Sequence, residues 1–191
     1  MKYLLFILTF TVSLQCKSQN QIVNLPDCDT YFNRSSGDYY RKDINNILNQ
    51  YEGTWKWNQG NKEFTLTLIK QKHHYNQYGG NNYYRDRLVG YYKYKENGVV
   101  VADTSSDDLN KDFDPKVIFN LNCHSRIVSL SFEDYKKNKE YDVYLEKLSP
   151  TQIKFEGQEE GDVLVSRSTP GTYAPIYPGN TFPLNMVLTK Q

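Results

Sequence analysis

Gly53-Thr54-Trp55-Lys56-Trp57, a polar Asn58-Gln59-Gly60-Asn61 and then Phe64-Thr65-Leu66-Thr67-Leu68 decide the fold class. Apolar and polar side chains alternate with a period of two on either side of a turn signal. That pattern builds two half-buried antiparallel strands joined by a reversal. The same alternation returns in Tyr141, Val143 and Leu145 against Asp142, Tyr144 and Glu146. Asn97-Gly98, between Tyr94 and Val99, is a strong hairpin signal, and Lys136-Lys137-Asn138-Lys139 and Ser149-Pro150 mark further reversals.

Working outward, ten short strands are predicted: 53–57, 63–72, 84–95, 99–104, 116–121, 126–133, 140–147, 152–156, 162–166 and 184–190. Seventeen tyrosines in 191 residues fit such a surface, because an aromatic ring packs on a pleated sheet while its hydroxyl reaches water. Before the first strand, Tyr40, Ile44, Ile47, Leu48 and Tyr51 fall on one helical stripe, and Asp38 is placed to cap it. The expectation is all-β: an antiparallel meander of about 8 to 10 strands closed into a barrel, with one N-terminal helix over its end.

A helical turn leading into Gly53-x-Trp55 resembles the lipocalin and calycin barrels. That resemblance implies structural roles for Gly53, Trp55 and Trp57, with Trp55 plugging the closed end and Gly53 permitting close packing. GTWKW, FTLTLIKQK, LVGYYKYKENG and FPLNMVLTKQ together resemble a family of exported small domains of the Bacteroidota with no assigned function. This second resemblance runs from about Leu48 to the C-terminus and implies fold and export but no activity.

The N-terminus reads as an export signal: Lys2, an apolar run from Tyr3 to Val12 too short to span a bilayer, then Ser13-Leu14-Gln15-Cys16. In one reading Cys16 is acylated and becomes the first residue of a lipoprotein, although Gln15 stands where a small residue is expected. In the other, a conventional peptidase cuts near Ser18 or Gln19. The organisation is then 1–16 signal, 17–38 tether or irregular segment, and 39–191 one barrel-like domain. Cys28 and Cys123 remain as a candidate disulfide in an oxidising compartment, with two separate buried thiols as the alternative.

Lys plus Arg is 23 and Asp plus Glu is 22, a balance that argues against nucleic acid as a partner. No cofactor motif is present, and no metal site is assigned. Adjacent His73 and His74 with His124 lack a partner at ligand spacing, and Phe113 and Phe119 interrupt the calcium-loop imitation of Asp108, Asn110, Asp112 and Asp114. Glu156, Glu159, Glu160 and Asp162 offer paired carboxylates, the basis of an alternative reading as a secreted hydrolase.

The preferred reading is a non-catalytic binding or envelope-structural module, membrane-tethered through Cys16 and otherwise free of the membrane. Its partner would be a small molecule, a glycan or an envelope protein. The insert from His73 to Asp86 is rich in Tyr, Asn and Gly, the residues of adaptable binding loops, so Tyr75, Tyr78, Tyr83, Tyr84 and Arg85 are the candidate contacts. A connection whose glycines and asparagines only tolerate turns is the competing explanation. The path of the strands sends this insert back to the closed end of the barrel rather than to its mouth.

Overall fold

A computed structural model describes residues 21–25, 27, 33–77, 79–112, 115–120, 128–159 and 175–191. Among the described residues eleven strands are found: β1 (Gln21–Asn24), β2 (Tyr39–Lys42), β3 (Gly53–Gln59), β4 (Lys62–Asn76), β5 (Tyr83–Glu96), β6 (Val99–Asp103), β7 (Val117–Asn120), β8 (Val128–Asp134), β9 (Lys139–Ser149), β10 (Gln152–Glu159) and β11 (Asn185–Lys190). Eight of them close into an antiparallel barrel in the order β5-β4-β3-β11-β10-β9-β8-β7, with β7 returning to β5. This is the architecture of a lipocalin-like barrel. Closure is permitted because β5 offers its second edge in segments. Lys93–Glu96 pair with β6, Val89 and Gly90 with β7, and Tyr84 and Arg85 with β2.

Inward residues alternate as expected. Phe64, Leu66 and Leu68 of β4 are buried with Tyr92 and Tyr94 of β5, Leu130 and Phe132 of β8, and Tyr141, Val143 and Leu145 of β9. At the end opposite Gly53, the stretch before β11 inserts Phe182 among Phe64, Tyr92 and Phe132, with ring centroids 5.1 to 5.3 Å apart. Its approach is held by polar contacts. Buried Asp134 accepts hydrogen bonds from the Thr181 backbone N–H at 2.9 Å and hydroxyl at 2.7 Å, and Asn180 accepts one from the Tyr141 hydroxyl at 2.9 Å. Aromatic rings therefore fill the barrel at this level, where a lipocalin-like reading places a mouth.

The expected N-terminal helix is not formed, and among the described residues no helix is found. Tyr39–Lys42 instead joins a sheet, parallel to both β1 and β5. Asp43 then caps a short turn by accepting the N–H groups of Ile47 and Leu48, and Asn46 adopts a left-handed φ of 54° that interrupts any continuing helix. The expected stripe splits accordingly: Leu48 and Tyr51 are buried, whereas Ile44 is 52% exposed. Residues 21–24, read as irregular, form β1. The strand expected at 162–166 lies outside the described residues.

At Gly90 the strands β4 and β5 approach closely. A Cβ there would run into the Thr67 carbonyl oxygen and lie 3.0 Å from Leu68 Cδ2. Gly90→Ala must force β4 and β5 apart, so a loss of about 2–3 kcal/mol is expected. An unchanged urea midpoint for this variant would contradict the packing described.

Candidate recognition surface

The segment expected to be a long loop is largely strand. β4 and β5 run past the Gly53 end of the barrel and, with β1 and β2, form a four-stranded arm ordered β1-β2-β5-β4. A register shift between Gln71 and His74, with His73 at a φ of 54°, lets β4 bend as it leaves the wall.

One face of the arm continues the barrel interior. Strand registers place Ile22, Tyr40, Tyr84 and Tyr75 side by side across all four strands. Ile22 is 54% exposed and Tyr75 37% exposed. His73 joins this row, stacked on Tyr84 at 4.1 Å with an interplanar angle of 5° and meeting Tyr40 edge-on at 4.6 Å. Tyr75 packs at 4.9 Å on the same Tyr84 ring and donates its hydroxyl to Asn82 Oδ1.

Buried Asp86 fixes the row from below. Its Oδ1 accepts the Tyr40 hydroxyl at 2.6 Å and the His73 N–H at 2.9 Å, and its Oδ2 accepts the Asp43 N–H at 2.9 Å. Burial, reinforced by the bond to Asp86, pushes the Tyr40 phenol well above the ordinary tyrosine range, so it stays a neutral donor. Beside it, the buried pair of Lys70 and Asp43 closes at 2.7 Å. The result is a rigid aromatic surface on a polar foundation, suited to stacking against sugar rings or apolar side chains.

The other face is cationic. Register aligns Arg41, Arg85 and His74 across β2, β5 and β4. Arg87, fully buried, donates to Gln71 Oε1 and to the Leu109 and Lys111 carbonyls, and pairs with Asp112 at 3.2 Å. Burial, aided by the nearby Arg85 charge and opposed by Asp112, pushes Arg87 down to about 10. Asp112 also accepts the Gln77 N–H and lies 2.7 Å from His74 Nε2. Burial lowers the His74 imidazole, with Arg87 and Arg85 acting in the same direction against Asp112. Burial alone would raise Asp112, but its bonds from His74 and Gln77 and the neighbouring positive charge bring it below the ordinary carboxylate range.

The sign of the pH dependence follows. His74 and Asp112 both have folded values below their unfolded ones, so each contributes stability that is complete above its unfolded value and is lost as pH falls. For His74 the loss should begin on descending through about pH 6.5. Comparing urea midpoints from pH 8 to 5, His74→Gln should flatten the upper part of the decline. Identical slopes in variant and wild type would refute the assignment.

The residues expected to form one recognition loop divide between these faces. Tyr75 and Tyr84 lie on the aromatic face, while Tyr83 is 6% exposed and packs with Val23 and Tyr39 in a small core of its own. Arg85 is half-buried on the cationic face. Tyr78 lies outside the described residues, as do Cys16, the pair Cys28 and Cys123, and His124, Asp114, Glu160 and Asp162. His73 and His74 face opposite sides, and Asp108 turns back to accept the Asn110 N–H. Glu156 pairs with Lys154 at 2.7 Å and Glu159 with Lys139 at 2.8 Å. Ile22, Tyr40, His73 and Asp86 were not foreseen as site residues. The one available signal was composition, since Tyr39-Tyr40 repeats the tyrosine pairing of Tyr83-Tyr84.

A profile described as "Family of unknown function (DUF6705)" matches residues 1–191. No curated protein and no solved structure matches the chain.

Proposed function

The chain belongs to this family of unknown function, and we propose that it is an exported, Cys16-tethered recognition module that binds without turnover through the aromatic face of its arm. One observation carries the reading: exposed Ile22 and Tyr75 and half-buried Tyr40 and Tyr84 form one row, pre-organised by His73 and by buried Asp86. Rings already held in place lose little entropy on binding, so such a row favours contact with a glycan or an envelope protein over a ligand enclosed in the barrel.

The test is capture from envelope extract by the mature domain, comparing wild type with the double variant Tyr75→Ser, Tyr84→Ser. Tyr83 is left intact because it belongs to a core. Thermal unfolding should change little while capture is lost; undiminished capture by a folded variant would remove the aromatic row from the function. Export and tethering have their own test, since Cys16→Ala should release the protein from the membrane fraction. Equal membrane retention of the variant would exclude the lipid anchor.

A further inference from the structure

Arg85 sits in the middle of the cationic face, with Arg41 beside it on β2 and His74 beside it on β4. Arg41 and Arg85 are like charges at directly opposed positions of the sheet and repel, so the pair needs compensation. The neighbours of Arg85 have partners. Arg41 donates to the Leu25 carbonyl at 2.7 Å and the Asp27 carbonyl at 3.1 Å, His74 is engaged with Asp112, and Arg87 has four acceptors.

The Nε atoms of Arg85 and Arg41 are both buried without a hydrogen-bond partner among the described residues, but Arg41 has carbonyl acceptors at its Nη2, and the Asp112 carboxylate is committed to His74 and Arg87. A guanidinium presents five donors in a planar fork that matches an oxyanion. A buried Nε donor without an acceptor, on a side chain beside the Arg41 charge, is unfavourable. Among the described residues, the Leu25 and Asp27 carbonyls orient Arg41, and Gln71 and the Leu109 and Lys111 carbonyls orient Arg87, which keeps those cations close to Arg85.

We propose that Arg85 is the centre of an oxyanion site, taking a phosphate, sulfate or carboxylate group of a ligand between Arg41 and His74. The site lies on the opposite face of the arm from the aromatic row and does not depend on it. Loss of envelope capture in the tyrosine variant and loss of anion binding are therefore separable results.

Inorganic phosphate, sulfate and acetate serve as probes, each titrated into the full mature protein against chloride at equal ionic strength. The readouts are thermal midpoint and the NMR resonances of Arg85 Nε and the His74 ring. Saturable shifts at both groups, with a raised midpoint, are expected for at least one oxyanion, and the ranking of the three identifies the preferred group. Arg85→Gln removes no hydrogen bond within the described protein, so it should fold, stand at least as stable as wild type in chloride alone, and bind at least about tenfold more weakly.

A variant less stable than wild type in chloride, or one with unchanged anion affinity, would overturn the site. Should the variant fail to fold, the wild-type titration still decides: an Arg85 Nε resonance that does not move at saturating oxyanion rejects the proposal.

Discussion

Trp55→Ala should destabilise the domain by about 3–5 kcal/mol, among the largest effects of any single substitution here. Trp55 is fully buried in the main core, and its Nε1 donates to the Tyr51 carbonyl at 2.7 Å. Truncation would leave both a cavity and a carbonyl without its donor. The indole also carries two ammonium groups, Lys147 Nζ at 5.0 Å and Lys190 Nζ at 5.3 Å from the ring centroid. Gly53 makes room for this arrangement, since a Cβ there would lie 2.9 Å from Lys190 Cε. The ring thus ties the first barrel strand to the last strand and to β9. Chemical denaturation monitored by far-UV circular dichroism measures the loss, and a change below about 1 kcal/mol would show that Trp55 does not seal this end.

Asp43→Ala is expected to cost a comparable amount, about 3–5 kcal/mol, for a different reason. Removing this carboxylate strands the Lys70 ammonium, whose side chain is only 4% exposed, and deprives Ile47 and Leu48 of the acceptor for their N–H groups. Asn49 Oδ1, 2.7 Å from Lys70 Nζ, remains but supplies no charge. Lys70→Met should be the milder change, because Asp43 keeps its backbone donors and the methionine chain fills similar space. Combining both substitutions should recover part of the Asp43→Ala loss, since the stranded charge is then gone. Strict additivity of the two single effects would mean that the ion pair contributes nothing in this environment.

Nearly every barrel strand was legible in advance because its signals are local. Alternation in Phe64-Thr65-Leu66-Thr67-Leu68 and the Asn97-Gly98 turn specify backbone geometry within a few residues. β3, β5, β6 and β9 accordingly begin or end within two residues of expectation. The helix failed for the converse reason. Tyr40, Ile44, Ile47, Leu48 and Tyr51 do share a helical stripe, but Tyr40 finds its partner in Asp86, 46 residues on, and parallel pairing with β5 outweighs a weak local propensity. Between the second and third predicted strands the sequence reads as a loop because Tyr75, Tyr83 and Tyr84 sit among residues typical of turns; once β2 supplies an edge, they extend the sheet.

By itself, then, the sequence determined an all-β barrel and its turns, since period-two patterning and turn chemistry act over a few residues. The burial of Trp55 was implied by the resemblance of Gly53-x-Trp55 to lipocalin barrels. Only the tertiary structure decided that Tyr83 is core, that Tyr84 and Arg85 lie on opposite faces, and that Phe182 enters the barrel. Each of these depends on which distant strand reaches β5 or on where the last connection enters, and the closing of a long loop leaves no mark in local sequence.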